Sequence, residues 1–135
     1  MLESISIQQR VFVIGDGSLL SEGVTRILEE ETSLRVSCAT YSDDQSFLDI
    51  IVWDKPEVIL VCESGKLDVT HIFEVVLSQQ FVIGLLIIII RLSNNMIDVY
   101  ANATLDGGKF IGKPKQISPM TKKNLLIAVR RNHNE

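Results

Sequence analysis

Cys62 closes the apolar run "EVILVC", and a thiolate at the end of such a run can serve as a nucleophile or a redox centre. A cysteine-dependent phosphatase needs an arginine six positions after its nucleophile. That position holds Asp68, whose charge would repel phosphate, so the sequence excludes this chemistry. A single reactive thiol stays open, beside the simpler interpretation that Cys62 is a small buried hydrophobe.

Three charged residues share the placement of Cys62 at the end of an apolar run. Asp16 follows "VFVIG", Arg91 follows "LLIIII" and Lys113 follows "KFIG". In a sheet of parallel strands, chemistry is done in the crevice beyond the carboxyl ends of the strands. We therefore expect the functional residues to be found among these positions.

The composition describes one ordinary globular domain. The chain has 135 residues, of which 46% are hydrophobic and 22% charged, and its net charge of -4 argues against a nucleic-acid-binding surface. The start of the sequence does not resemble a signal peptide, and two cysteines fit a reducing cytoplasm. The run "FVIGLLIIII" is about half of a membrane span, so it predicts a buried strand.

Short β-branched runs alternate with stretches of helical period along the chain. The predicted strands are "RVFVIG", "SLRVSCAT", "EVILVC", the isoleucine run and "KFIGK", and a helix is predicted after each, including "NNMIDVYANAT" and "SPMTKKNLLIAVRR". This alternation predicts an α/β fold with a five-stranded parallel, doubly wound sheet and five helices. We expect a single domain over residues 1–135, with its core in about 10–131.

Three segments of the chain carry a family resemblance, namely "RVFVIGDGSLLSEGVTRIL", "KPEVILVC" and "LDGGKFIGKPKQISPM". They resemble the CheY-like receiver domain of response regulators, of the kind that precedes LuxR/NarL-type DNA-binding domains. The resemblance implies the flavodoxin-like strand order 2-1-3-4-5. It also implies that strand one separates Cys38 from Cys62, which excludes a disulfide between them. Residues 132–135 would then be a tail that could begin a linker to an output domain.

The resemblance implies a phosphoryl-accepting site, and most of its residues have been replaced. The acidic pair that holds magnesium falls on Gly15 and Asp16, and the acceptor aspartate falls on Cys62. The hydroxyl position falls on Ile90 when counted forward from the third strand, and on Arg91 when counted back from Lys113. Beside Asp16, the positions that match the family are Lys113 in the lysine loop and Phe110 at the aromatic switch position of the fifth strand.

These replacements predict a degenerate, or pseudo-, receiver. A site reduced to Asp16 and a thiol is a poor site for magnesium, so we expect weak or absent magnesium binding and no other cofactor. Transfer to Cys62 would also lack the groups that neutralise the moving charge. Asp16 could instead pair with Lys113 or Arg91, either as a local ion pair or as a lock on one of the family's two arrangements.

A receiver without its phosphate switch is expected to act by binding protein. The candidate contact surface comprises Phe81, Ile83, Met96, Ile97 and Tyr100, and the alternative is that the "FVIG" segment merely lengthens the third helix.

We expect a cytoplasmic, non-enzymatic regulator of signal transduction and transcription. It would bind a protein partner, a second copy, or both, with no direct contact to nucleic acid, membrane or small-molecule substrate. The alternatives are a phosphoryl-accepting receiver and a thiol redox sensor that uses Cys62.

Overall fold

Strands and helices alternate strictly through the first two thirds of the chain. The computed structural model describes residues 8–79, 85–91, 93–101 and 103–130. The elements of this part are β1 Gln9–Gly15, α1 Leu19–Glu29, β2 Leu34–Thr40, α2 Asp44–Asp54, β3 Val58–Cys62, α3 Val69–Leu77 and β4 Leu86–Arg91.

The last third is built differently, mostly from short strands. Its elements are β5 Met96–Tyr100, β6 Thr104–Asp106, β7 Lys109–Ile111, β8 Lys115–Ile117 and α4 Lys122–Arg130. None of the helices in the described ranges is long and apolar enough to cross a membrane.

Local side-chain chemistry sets the ends of the helices. The carboxylate of Asp43 accepts the N–H of Ser46 at 2.8 Å, and that of Asp68 accepts the N–H of His71 at 3.1 Å. Both bonds satisfy backbone donors that the first turn of a helix leaves without a partner. At its other end α2 stops at Lys55, whose φ of 49° places it in the left-handed region.

One six-stranded sheet runs through the molecule in the order β2-β1-β3-β4-β5-β8. The first four strands are mutually parallel, whereas β5 is antiparallel to both β4 and β8. The strands β6 and β7 form a separate two-stranded hairpin.

Helices cover both faces of this sheet. On one face α1 and α4 pack their apolar residues, such as Leu28 and Leu125, against Val13, Leu60 and Ile88. On the other face α2 and α3 pack Phe47 and Phe73 among the side chains of Phe12, Ile59 and Ile87 and their neighbours. Burial on both faces explains why β3 and β4 are continuous apolar runs.

The predicted five-stranded parallel sheet with five helices is wrong. The order 2-1-3-4 and the parallel direction of these strands agree with the prediction, but the sheet is mixed, has six strands and is covered by four helices. The helix predicted over "NNMIDVYANAT" contains β5, and the predicted fifth strand "KFIGK" contains β7, which lies outside the main sheet. The sheet ends instead at β8.

Candidate functional site

The carboxyl edge of the parallel strands collects several of the predicted residues. From β1 the chain crosses through α1 to β2 on one side, and β3 then pairs with the other side of β1. This reversal makes the gap between the carboxyl ends of β1 and β3 the switch point of the sheet. Asp16 lies just past β1, and Cys62 is the last residue of β3.

Gly15 lies where the resemblance implies the first carboxylate, and the space beside it is filled. A Cβ atom at this position would lie 2.3 Å from the Cβ and 2.6 Å from the Oγ of Ser21. The Ser21 hydroxyl is itself fixed, because it donates a hydrogen bond of 2.9 Å to the carbonyl of Ser18. A second acidic side chain could not enter here without displacing α1.

Asp16 keeps its charge through contacts with the loop that follows it. Its Oδ1 accepts the backbone N–H of Ser18 at 3.0 Å. Hydrogen bonding from Ser18, and secondarily from Ser64, lowers the pKa of Asp16. The carboxylate is therefore ionised at neutral pH and is bound by local donors rather than by Lys113 or Arg91.

Cys62 lies in the interior, paired with Ile90 of β4. Its residue surface is 2% exposed, and it belongs to the apolar cluster under α1 and α4. Burial, with a smaller contribution from the charge of Asp16, raises the pKa of Cys62 to about 12. The thiol is thus protonated and packed as an apolar group. Cys38, by contrast, is exposed on β2, and both cysteines are free.

Arg91 is held between two carboxylates on the α3 face of the sheet. Its Nε donates to Asp98 Oδ2 at 2.6 Å, and its Nη1 pairs with Glu63. Asp98 is 3% exposed, and its other oxygen accepts the side-chain amide of Gln116 at 3.2 Å. The bond to Asp98 is the main cause that raises the pKa of Arg91. We call these four residues, Glu63, Arg91, Asp98 and Gln116, the Arg91 network.

Sequence reasoning missed Asp98 and Gln116 because it placed the first on a helix and gave the second no role. A signal was present, since Asp98 is the single acid within the apolar run "MIDVY". A lone carboxylate among apolar residues needs a cationic or hydrogen-bonding partner if that run is buried.

The other two matched positions, Lys113 and Phe110, lie away from Asp16. Lys113 precedes β8, whose first residue pairs with Val99, and the neighbouring Gly112 packs against Tyr100. Since Tyr100 pairs with Ile87 near the start of β4, Lys113 is at the amino end of the parallel strands. The expected pairing of Asp16 with Lys113 is therefore wrong.

Phe110 belongs to the separate hairpin rather than to the sheet. Its ring packs against Phe73 and Tyr100, with ring centroids 5.6 and 5.2 Å apart, and its backbone N–H donates to Glu74 at 3.1 Å. These contacts fasten the hairpin to α3 and β5 as a structural anchor. Between α3, the hairpin and Arg91 remains an open cleft of about 410 Å³.

The predicted contact surface is divided between two places. Ile97 and Tyr100 lie on β5 with 0% and 8% of their surface exposed, so they cannot form an exposed patch, and Met96 is half-buried. Phe81 and Ile83 lie outside the described residues. Ile90 is fully buried beside Cys62 and points away from the face that holds Arg91.

The donors at this edge do not fit magnesium. Asp16 supplies one carboxylate, Cys62 a protonated thiol, and Glu63 is paired with Arg91. Magnesium requires several oxygen ligands in near-octahedral geometry. In the described ranges, no three His, Cys, Asp or Glu side chains are grouped in a way that could hold a metal ion.

The chemistry available at the carboxyl edge of the parallel strands is limited, because its charged side chains are already paired or hydrogen-bonded. The thiol is kept protonated by its raised pKa, the guanidinium is neutralised on two sides, and Asp16 is bonded to its own loop. Such a site holds backbone segments in place better than it transfers a group.

Comparisons of the chain with protein-family models, with curated proteins and with solved structures found no match.

Proposed function

We propose that the chain is a receiver-like regulatory domain that acts without phosphorylation, by binding a second protein molecule. Its setting would be cytoplasmic signal transduction that controls transcription, and it would have no enzymatic activity of its own. The resemblance of the first and third strands, and of the loop and helix that follow β1, to receiver domains motivates this assignment. The parallel order β2-β1-β3-β4 is compatible with it.

The observation that carries the proposal is the Arg91 network. In receivers, the resemblance implies a hydroxyl at the end of the fourth strand that responds to the phosphoryl group. Here that strand ends in Arg91, which bonds to Glu63 past β3 and to Asp98 on β5. The carboxyl ends of β3 and β4 and the middle of β5 are thereby linked in one arrangement, and no phosphoryl group is needed to hold them.

The state of Cys62 supports the same interpretation and disfavours the two alternatives. A phosphoryl acceptor or a redox sensor needs a thiolate that reagents can reach. The residue is 2% exposed and its pKa is raised to about 12, so both requirements are unmet in the native protein.

The test is incubation of the chain with acetyl phosphate and magnesium, and separately with beryllofluoride and magnesium. Intact mass spectrometry measures covalent phosphorylation, ¹⁹F NMR measures bound beryllofluoride, and light scattering measures the oligomeric state. We expect no covalent adduct, no bound fluoride and no change in oligomeric state.

Two matched variants locate any adduct. Cys62→Ser removes the buried thiol and Cys38→Ser removes the exposed one. A phosphoryl adduct that persists in Cys38→Ser and disappears in Cys62→Ser would overturn the proposal and make this chain a phosphoacceptor.

A further inference from the structure

The two edges of the main sheet differ in how well they are protected. β8 is three residues long and begins with the exposed Lys115, two features that discourage further pairing. β2 is seven residues long, pairs with β1 without a bulge, and contains neither proline nor glycine. Its only charged residue is Arg35. An edge of this kind is open to another strand.

The hydrogen bonds to β1 show which backbone groups of β2 face outward. The N–H of Gln9 donates to Ser33 and that of Tyr41 donates to Gly15, so odd-numbered residues of β2 bond to β1 in this parallel ladder. The even-numbered Val36, Cys38 and Thr40 therefore direct their N–H and C=O groups away from the sheet. No described residue accepts or donates to these groups.

The sequence of β2 is complementary to itself in one antiparallel register. With Ser37 on the two-fold axis, all seven residues pair with those of a second copy, and the outward-facing Val36 meets Cys38 in a hydrogen-bonded pair. Ser37 meets Ser37 of the second copy, a pairing of hydroxyls that sheets favour. Arg35 meets Ala39, so no like charges are opposed.

Charge also complements charge in this register. The hydroxyl of Ser37 donates to Asp54 Oδ1 at 3.2 Å, which places the carboxylate at the end of α2 beside the axis. Arg35 of the second copy becomes the diagonal neighbour of Ser37, within reach of a long side chain. Among the ion pairs of the described residues, neither Arg35 nor Asp54 takes part in one.

The opposite face of the edge has room for a second copy. An open groove of about 480 Å³ lies between α1 and β2, and its lining includes Val13, Cys38 and Ala39. Val36 is only half-buried at this edge. In the self-complementary register, Val36 of the second copy lies opposite Cys38 and would cover the groove's apolar floor.

We propose that two copies of this chain pair through antiparallel β2 strands, centred on Ser37, into one continuous twelve-stranded sheet. This inference rests on the proposed function, since it names the protein that the domain binds and the surface it uses. The occupant is a second copy because both the register and the Arg35–Asp54 pairing are self-complementary.

The first test is cysteine crosslinking of the full chain in a Cys38→Ser background, after light scattering over a wide range of protein concentration. We expect the uncrosslinked chain to be a dimer at high concentration. Ser37→Cys should form a covalent dimer on mild oxidation. The two copies of residue 37 would form a non-hydrogen-bonded antiparallel pair, in which the Cα atoms are about 4.5 Å apart.

Ala39→Cys is the matched control, since it lies on the same face of the same strand and is also half-buried. Its Cα would be about 14 Å from its counterpart, beyond disulfide reach. A chain that stays monomeric, a Ser37→Cys variant that does not crosslink, or equal crosslinking of both variants would each overturn the β2 pairing.

A charge exchange tests the pair that sets the register. Arg35→Glu should raise the dimer dissociation constant about tenfold, because two symmetric ion pairs are replaced by repulsions. Asp54→Arg should do the same, and the combined variant should return toward the wild-type value. Additive loss in the combined variant would contradict the proposed register.

These outcomes separate the inference from the function beneath it. A dimer whose crosslinking and dissociation constant do not respond to the β2 variants would refute this surface. It would leave the proposal of protein binding without phosphorylation intact. A phosphoryl adduct on Cys62 would refute that function, and crosslinking through Ser37 could still be observed.

Discussion

Cys62 shows how far a single residue can be interpreted from sequence. Its place at the end of a buried strand follows from the run "EVILVC", and the structure confirms it. Its reactivity could not be inferred in the same way, because the pKa depends on what surrounds the sulphur atom. Burial beside Ile90 makes it an apolar packing group.

We predict that native Cys62 resists thiol reagents. At mildly alkaline pH, and at a protein concentration low enough to keep the chain monomeric, a disulfide reagent should label one thiol per chain rapidly, the exposed Cys38, and the second only on unfolding. The physical reason is that a buried thiol with a pKa of about 12 supplies almost no thiolate. Cys38→Ser is the control and should show no rapid labelling; fast labelling of that variant would restore the redox-sensor hypothesis.

Arg91 is expected to matter for stability because its removal leaves the buried Asp98 carboxylate without a cationic partner. Arg91→Met leaves the Asp98 carboxylate, 3% exposed, with the Gln116 amide alone, and should lower the free energy of unfolding by about 3 kcal/mol. Urea denaturation measures the change. Lys122→Met removes an ion pair to Glu30 whose side chains are more than half exposed and should have little effect. Equal effects would show that Asp98 is compensated in another way.

At the scale of elements, the largest error of the sequence analysis was to interpret β5 as a helix. Alternation of polar and apolar residues usually identifies a strand, but both faces of β5 are buried, so Ile97, Val99 and Tyr100 are apolar on either side. A mostly apolar segment of five residues fits both the helical period of 3.6 residues and the strand period of two. The feature that decides the outcome is the turn before it, where Asn95 has a φ of 51° and reverses the chain.

Asn95 should therefore tolerate glycine better than alanine. Its side chain also accepts the N–H of Met120 at 3.0 Å, a bond that both substitutions remove. Alanine additionally suffers the steric cost of a left-handed backbone, about 1 kcal/mol, which glycine avoids. Thermal or urea unfolding should rank stability as wild type, then Asn95→Gly, then Asn95→Ala. The reverse order of the two variants would refute the turn geometry.

A charged contact between α2 and α3 should make stability fall slightly as pH rises through neutrality. The Nε2 atom of His71 lies 2.9 Å from Asp44, and this hydrogen bond raises the pKa of His71 above 6.5. The folded state therefore gains a contribution that is complete below about pH 6.5. That contribution is lost as pH rises through the higher, folded value. About half of each side chain is exposed, so solvent reduces the effect.

NMR titration of the imidazole measures this shift directly. Asp44→Asn should bring the pKa of His71 back toward 6.5, whereas Asp49→Asn, on the same helix but bonded to Gln45, should leave it raised. An unchanged His71 titration in Asp44→Asn would contradict the contact.

For the whole molecule, the sequence was informative where strands and helices alternate and at the last helix, α4, and was uninformative between β4 and α4. The alternation predicted the parallel arrangement of the first four strands, and the resemblance supplied their order, which the structure confirms. After β4, four short strands of three to five residues replace the expected helix and strand. Segments this short carry little periodic signal, so their pairing depends on tertiary contacts such as those of Asp98 and Phe110.

Pairing through β2 would make stability depend on protein concentration. Because the folded dimer dissociates before or during unfolding, its urea midpoint should rise as the protein concentration is increased. Circular dichroism at several concentrations measures this. Arg35→Glu should weaken the dependence, and a wild-type midpoint that is independent of concentration would indicate a monomer.

The shortness of β8 decides what becomes of the assembly once two chains have joined. A symmetric contact uses the same strand of both copies, so within the described residues the main sheet keeps two free edges, the β8 strands at its far ends. Each is three residues long and carries a lysine, and both features disfavour pairing with a strand of a third chain. Growth should therefore stop at two, and the protein should not polymerise into fibres even when concentrated.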